Sequence, residues 1–580
     1  MKRLYLLIFL IIVFIISGCK GNNDDDKNKK PLPEVTIVSV EITDNFCLKT
    51  IYSDETSKLS DPIDLNNYHE LFEYYITYNT DYEYDAEYFL DSNTLHNEDD
   101  LDYTYKLLSN GTYAITKYVG AEASITIPKY YQNKRVTCIA KEAFRGTNIE
   151  EVTIGEFVTL VESLSFYFAN KVKRVVFLNP NTEIEKEAFL FAGELTTVEL
   201  PKNIKTLNNG VFKNCKSLKE VKNVSNLTSI GSECFTNCQS LEYFEFNDLI
   251  SFIGTKAFTN CCALKNIELP ENLEVLEDQT FSNCSSVETI TFNEGLRIIN
   301  AGCFTNCNLL SELNFNKNLE EICGGAFEHC TSLKEVILPD SLRLIGTGAF
   351  QECTSITKVI VNEGLTDLAA SCFNKCVNLV DLQLSSTINF MSHSCFAGCV
   401  SLKKVVLPNN LRAVYDGVFN GCTNLEEVNI PESVKLFGGS CFADCKSLKQ
   451  MIIHDGVTTI TAGSFRGCSS LELIRIPYFG TSPSNDMSID SIFGTVPKSL
   501  KTLIIGNACN EIPENVFASN NAIETIEFGT NIKKINANAL TGLSALKNII
   551  YNGSSNSFKD IIIDSTNDHI ISNVTIDYKN

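Results

Sequence analysis

A phenylalanine recurs every 23 residues from Phe166 to Phe465, through Phe189, Phe212, Phe235, Phe258, Phe281, Phe304, Phe327, Phe350, Phe373, Phe396, Phe419 and Phe442, without a break in register. Phe144 precedes the series by 22 residues, and Phe493, Phe517 and Leu540 continue it past a short insertion around Tyr478 to Asp490. About eighteen units of such strict period decide the architecture before composition does, because one unit this short cannot bury its own apolar face. Stacked neighbours turn each apolar position into a continuous column, so the chain reads as a solenoid.

Inside one unit the apolar positions run Leu342-x-x-Ile345-x-x-x-Ala349-Phe350-x-x-Cys353-x-x-Ile356-x-x-Val359-x-Val361. The stretch Glu335-Val336-Ile337-Leu338-Pro339 alternates with period two and ends on a proline, which predicts a short strand and its stop. The Ala-Phe-x-x-Cys stretch predicts a helical turn. At about 4.8 Å per stacked strand, the units would build a curved rod roughly 85 Å long.

The succession Leu-Pro, Leu-x-x-Ile-Gly, Ala-Phe-x-x-Cys-x-x-Leu-x-x-Val resembles the BspA-type (Treponema pallidum type) leucine-rich repeat. That resemblance spans residues 102–550, and it implies a surface adhesin whose partners are extracellular-matrix or other cell-surface proteins. Tyr103 to Pro128 resembles the strand-rich N-terminal cap of that family, and residues 551–580 resemble its C-terminal cap.

The chain opens with Lys2 and Arg3, then an apolar run from Leu4 to Ile16, then Ser17-Gly18-Cys19. The run is too short to cross a bilayer core of about 30 Å, so residues 1–18 read as a signal peptide. Small residues before a cysteine at this point resemble the lipobox of bacterial lipoproteins. That resemblance implies cleavage before Cys19, a lipid on its thiol, and display at the cell surface through a membrane anchor. Residues 19–33 hold almost nothing to bury and read as a flexible tether. Residues 34–101 lack the period. Val35 to Ile42 alternates like a strand, so this segment is expected to be a small β-rich module of unknown function. Its acidic run from Asp81 to Asp102 lacks the Asp-x-Asp-x-Asp-Gly spacing of a calcium loop and reads as solvated.

The formal charge of −23 argues against nucleic acid, whose binders display basic stripes. The 23 cysteines would ordinarily mean a disulfide framework in an exported chain, but their positions say otherwise. Twelve of them, from Cys215 to Cys468 at 23-residue intervals, form one column three residues after the phenylalanine. A second set, Cys234, Cys303, Cys372, Cys395 and Cys441, sits just before it, where other units carry Ala, Ser, Thr or Val. Such exchange marks a small buried slot, and free cysteine packs as a small hydrophobe. Stacked turns lie close enough that distance alone does not exclude bridging, although parallel side-chain directions oppose the disulfide dihedral. His393 beside Cys395 and Cys399 invites a zinc reading, yet that spacing only reproduces two core columns. No metal site, cofactor or catalytic constellation is expected, and an enzyme activity would have to reside in residues 34–101.

Two positions per strand face outward. Along the second of them the sequence runs Glu245, Glu268, Thr291, Asn314, Ile337, Ile360, Gln383, Val406, Asn429 and Ile452. The apolar members Ile337, Ile360, Val406 and Ile452, with Lys358 and Lys404 from the first outward column, form the candidate partner-binding surface. These columns hold few aromatic platforms for sugars, which favours a protein partner. The rival is an envelope spacer without a specific ligand, since β-branched residues also simply suit strands.

Overall fold

The computed structural model describes side chains of residues 102–479, 489–518 and 520–579, and the backbone of strands before them. Residues 1–94 and 95–580 form separate compact units. In the first, Ile37–Ile42, Leu48–Tyr52 and Ser57–Leu59 pair as an antiparallel three-stranded sheet. The segments expected to be signal peptide and tether, Cys19, and the acidic run from Asp81 as far as Thr94 lie outside the described residues.

The second unit is a β-solenoid of about 20 turns of roughly 23 residues. In one turn, strand Glu335–Leu338 alternates exposed and buried, so Val336 and Leu338 point inward while Glu335 and Ile337 point out. Pro339 has no N–H for the ladder and ends the strand. The strand pairs in parallel with Lys358–Val361, and the partners Glu335↔Lys358 and Ile337↔Ile360 lie one period apart. This is how a sequence repeat becomes a column of stacked side chains.

A second strand column appears that the sequence pattern did not announce. Leu344–Ile345 pairs in parallel with Glu321–Ile322, and equivalents recur from turn to turn. Two residues are too few to show a period of two, so these strands hide inside the Leu-x-x-Ile spacing.

The segment carrying the phenylalanines is a run of tight turns, not α-helix. Gln351 N–H donates to Gly348 O at 3.0 Å and Cys353 N–H to Phe350 O at 3.3 Å, while Gly348 and Glu352 hold φ of 64° and 59°. Left-handed residues two before and two after Phe350 reverse the backbone before a helix can propagate. The alternate N–H groups freed in this way bind the next turn: Gly348, Phe350 and Glu352 donate to Ala370, Cys372 and Asn374 at 2.8–2.9 Å. Asparagine tolerates the left-handed region. Asn214, Asn237 and Asn260 occupy it in successive turns and bond side chain to side chain at 2.6 and 2.7 Å. Gly346 has a different reason: a Cβ there would stand 2.3 Å from Gly324 N of the preceding turn.

Phenylalanine rings fill the axis. Phe350 lies between Phe327 at 5.2 Å and Phe373 at 5.4 Å, nearly parallel to both, and the stack runs from Phe144 to Phe465. Tyr118 continues it at 5.9 Å into the N-terminal hairpin of Asp100–Leu107 and Tyr113–Tyr118. After the insertion the order relaxes, and Phe493 is tilted 49° against Phe465.

The thiol column has a polar role as well as an apolar one. Cys353 Sγ lies 3.1 Å from Phe327 O, the carbonyl of the preceding turn, and the same contact recurs at every column cysteine from Cys215 to Cys468. Each such carbonyl already accepts one backbone N–H, as Phe327 O does from Cys330. A cysteine therefore fills a methyl-sized slot and also offers a weak donor to the second lone pair. Burial pushes the thiols up, to about 12 at Cys353, Cys422 and Cys468. All 21 cysteines among the described residues are free thiols, and 19 of them are buried. Thiol counting under denaturing, non-reducing conditions is expected to find at least those 19 free, and a count near zero would refute the ladder.

Candidate binding face

The outward side of the longer strand column is set by register. Because the strands of this column from Arg174–Phe177 to Leu473–Ile476 begin eight residues after their phenylalanine and pair with a 23-residue offset, the first and third strand positions align as two outward columns. Ile337, Val406 and Ile452 are 46%, 61% and 47% exposed, and Ile360 is half-buried. Ile337 and Ile360 are direct cross-strand partners. Val406 and Ile452 do not join them in one patch. Gln383 is the partner of Ile360, and Asn429 occupies the turn between Val406 and Ile452. Asn429 is tied down by its own bonds to the backbone of Leu407.

The two lysines differ in their surroundings. Lys358 is half-buried in register between Glu335 and Asp381. Lys404 is exposed and reaches Glu427 on the next strand at 3.0 Å, a surface pair worth at most about 1 kcal/mol. Farther toward the N-terminus the same face changes character. Tyr243 is 59% exposed there, with Glu245 and Glu268 exposed beside it. At Tyr243 to Glu245 the strand ladder is interrupted, and the inward Phe244 packs at 5.2 Å from both Phe235 and Phe258.

His393 does not converge with Cys395 and Cys399. Both thiols are fully buried, whereas the ring is exposed and turns to Asp416 at 3.4 Å. Among the described residues no group of three His, Cys, Asp or Glu side chains could hold a metal ion. No described helix is long and apolar enough to cross a membrane.

The family model of the BspA-type leucine-rich repeat region matches in six copies between residues 137 and 568. The chain belongs to that family. Similar solved structures include a leucine-rich repeat protein from Bacteroides ovatus, 23% identical over 60% of this chain and 93% of that one, with a TM-score of 0.47. A leucine-rich cell-surface protein from Faecalibacterium prausnitzii is 22% identical over 80% of this chain and 97% of that one, with a TM-score of 0.28. The T. pallidum leucine-rich repeat protein is 19% identical over 52% and 88%, with a TM-score of 0.15. No curated protein matches the sequence. The BspA-type repeat thus accounts for the phenylalanine period, and it leaves the outward columns free to vary.

Proposed function

We propose that this BspA-type protein is a lipid-anchored cell-surface lipoprotein that binds a protein partner, as an adhesin does, through the outward face of its longer strand column. The observation that carries this is the adjacent pair Ile337 and Ile360, outward-facing apolar side chains, the first exposed and the second half-buried, brought together by strand register. Core columns consume the Phe, Cys, Leu and Ile of each unit, so only the outward positions can vary without cost to the fold. Repeat surfaces of this kind serve as extended binding scaffolds. The partner class is an extracellular-matrix or other cell-surface protein of host or bacterium. The full chain, immobilised, is expected to retain such a protein from solubilised surface proteins, and excess soluble chain should compete it off. Recovery of nothing competable would favour a spacer role.

Anchoring rests on Ser17-Gly18-Cys19 after the apolar run. Labelling with a fatty-acid analogue is expected for the native chain and absent from Cys19→Ser. Equal labelling of both forms would move the lipid elsewhere or remove it.

A further inference from the structure

We infer that the occupant of this face is an amphipathic protein segment, apolar at one end and lysine- or arginine-rich at the other. The inference rests on the binding face proposed above and adds the chemistry of the partner. Two features of the outward columns carry it. Ile337 and Ile360 supply an apolar end. In the four turns on the N-terminal side of that pair, the two outward columns carry Tyr243, Glu245, Asn266, Glu268, Thr289, Thr291, Glu312 and Asn314, without one lysine or arginine.

The carboxylates in question are exposed and unneutralised. Glu245, Glu268 and Glu312, with Glu335 beside Ile337, make no ion pair among the described residues. Elsewhere along the same strand column the equivalent charges are paired, as in Arg174 to Glu199 at 2.6 Å and Lys404 to Glu427 at 3.0 Å. Even the flanking Glu242 is bound to Lys265 at 3.2 Å. A partner that brings cations therefore meets Glu245, Glu268 and Glu312 with no ion pair already made, the flanking Lys222 being engaged with Glu199 and Glu220, and the exposed Tyr243 ring adds a face for an ammonium or guanidinium group. An apolar surface adjoining this strip desolvates the contact and fixes which end of the partner lies where.

The span fits one secondary-structure element. From Tyr243 to Ile360 there are five steps between stacked turns, about 24 Å at the usual strand spacing. An α-helix covers that distance in about 16 residues.

The test uses the full chain and two fluorescent peptides of about that length. One has an apolar half followed by a lysine half, and the other replaces each lysine with glutamate. By anisotropy at physiological salt the lysine peptide is expected to bind and the glutamate peptide not. Glu245→Lys with Glu268→Lys should weaken binding by about tenfold or more, and so should Ile337→Thr with Ile360→Thr. Glu274→Lys with Asp367→Lys makes the same change in net charge on the other strand column, and it should alter affinity by less than about twofold. Equal weakening by that remote pair would reduce the effect to bulk charge and overturn the inference. Loss in the threonine variant with none in the glutamate variant would overturn it too, while leaving the binding face standing. If neither face variant loses binding, both proposals fall.

Discussion

Phe350→Ala is expected to lower the stability of the central turns by about 3–5 kcal/mol, the range for deleting a fully buried phenylalanine ring. Phe350 is completely buried and touches a ring on either side, at 5.2 and 5.4 Å, so the cavity cannot be filled by one neighbour without opening the next. Turns of a solenoid contact only their neighbours, and the loss should therefore stay local. Hydrogen exchange is expected to rise across the turns from Phe327 to Phe396 while the N-terminal hairpin and the last turns keep their protection. A uniform rise along the chain, or a change below about 1 kcal/mol, would contradict the ring stack as the main cohesive element.

Ile337→Asp with Ile360→Asp should behave in the opposite way. The two side chains point away from the core, and surface substitutions usually change stability by no more than about 0.5 kcal/mol. Ile360 is half-buried, so its share of that cost is the larger. Circular dichroism and melting should match the native chain, while most binding of the captured protein partner is lost. The introduced carboxylates desolvate poorly in an apolar contact, which is why aspartate is a harsher test than alanine. Retained affinity in a folded double variant would place the site off this face, and residues 34–101 would be the next region to probe.

The contrast between these variants shows what the sequence could and could not reveal. The columns of Phe350, Cys353 and Val359 were legible because each recurs at a fixed offset, and one apolar requirement repeated along the chain leaves a periodic signal. The buried fate of the cysteines was legible from their exchange with alanine and valine. Their hydrogen bonds to the preceding phenylalanine carbonyl were not, because spacing carries no information about a lone pair. The Leu344–Ile345 strand was hidden by its length, and the turns around Phe350 by their alternating backbone hand, which residue types signal only weakly where Glu352 or Lys375 takes the left-handed position. The proposed binding face was legible as a list of outward residues but not as a patch: Gln383 and Asn429 separate Val406 and Ile452 from the Ile337 and Ile360 pair. The acidic strip beginning at Tyr243 was visible as residues but not as unpaired charges, because ion pairing depends on reach between turns.

Binding through the longer strand column is tested most directly by placing a photo-crosslinking residue at single positions of the full chain and exposing it to the captured partner. Adducts are expected from positions 337, 360 and 383 on that column, and none from positions 344, 367 and 390 on the two-residue strand column. Adducts that form mainly at 344, 367 or 390, or equally at both sets, would contradict it.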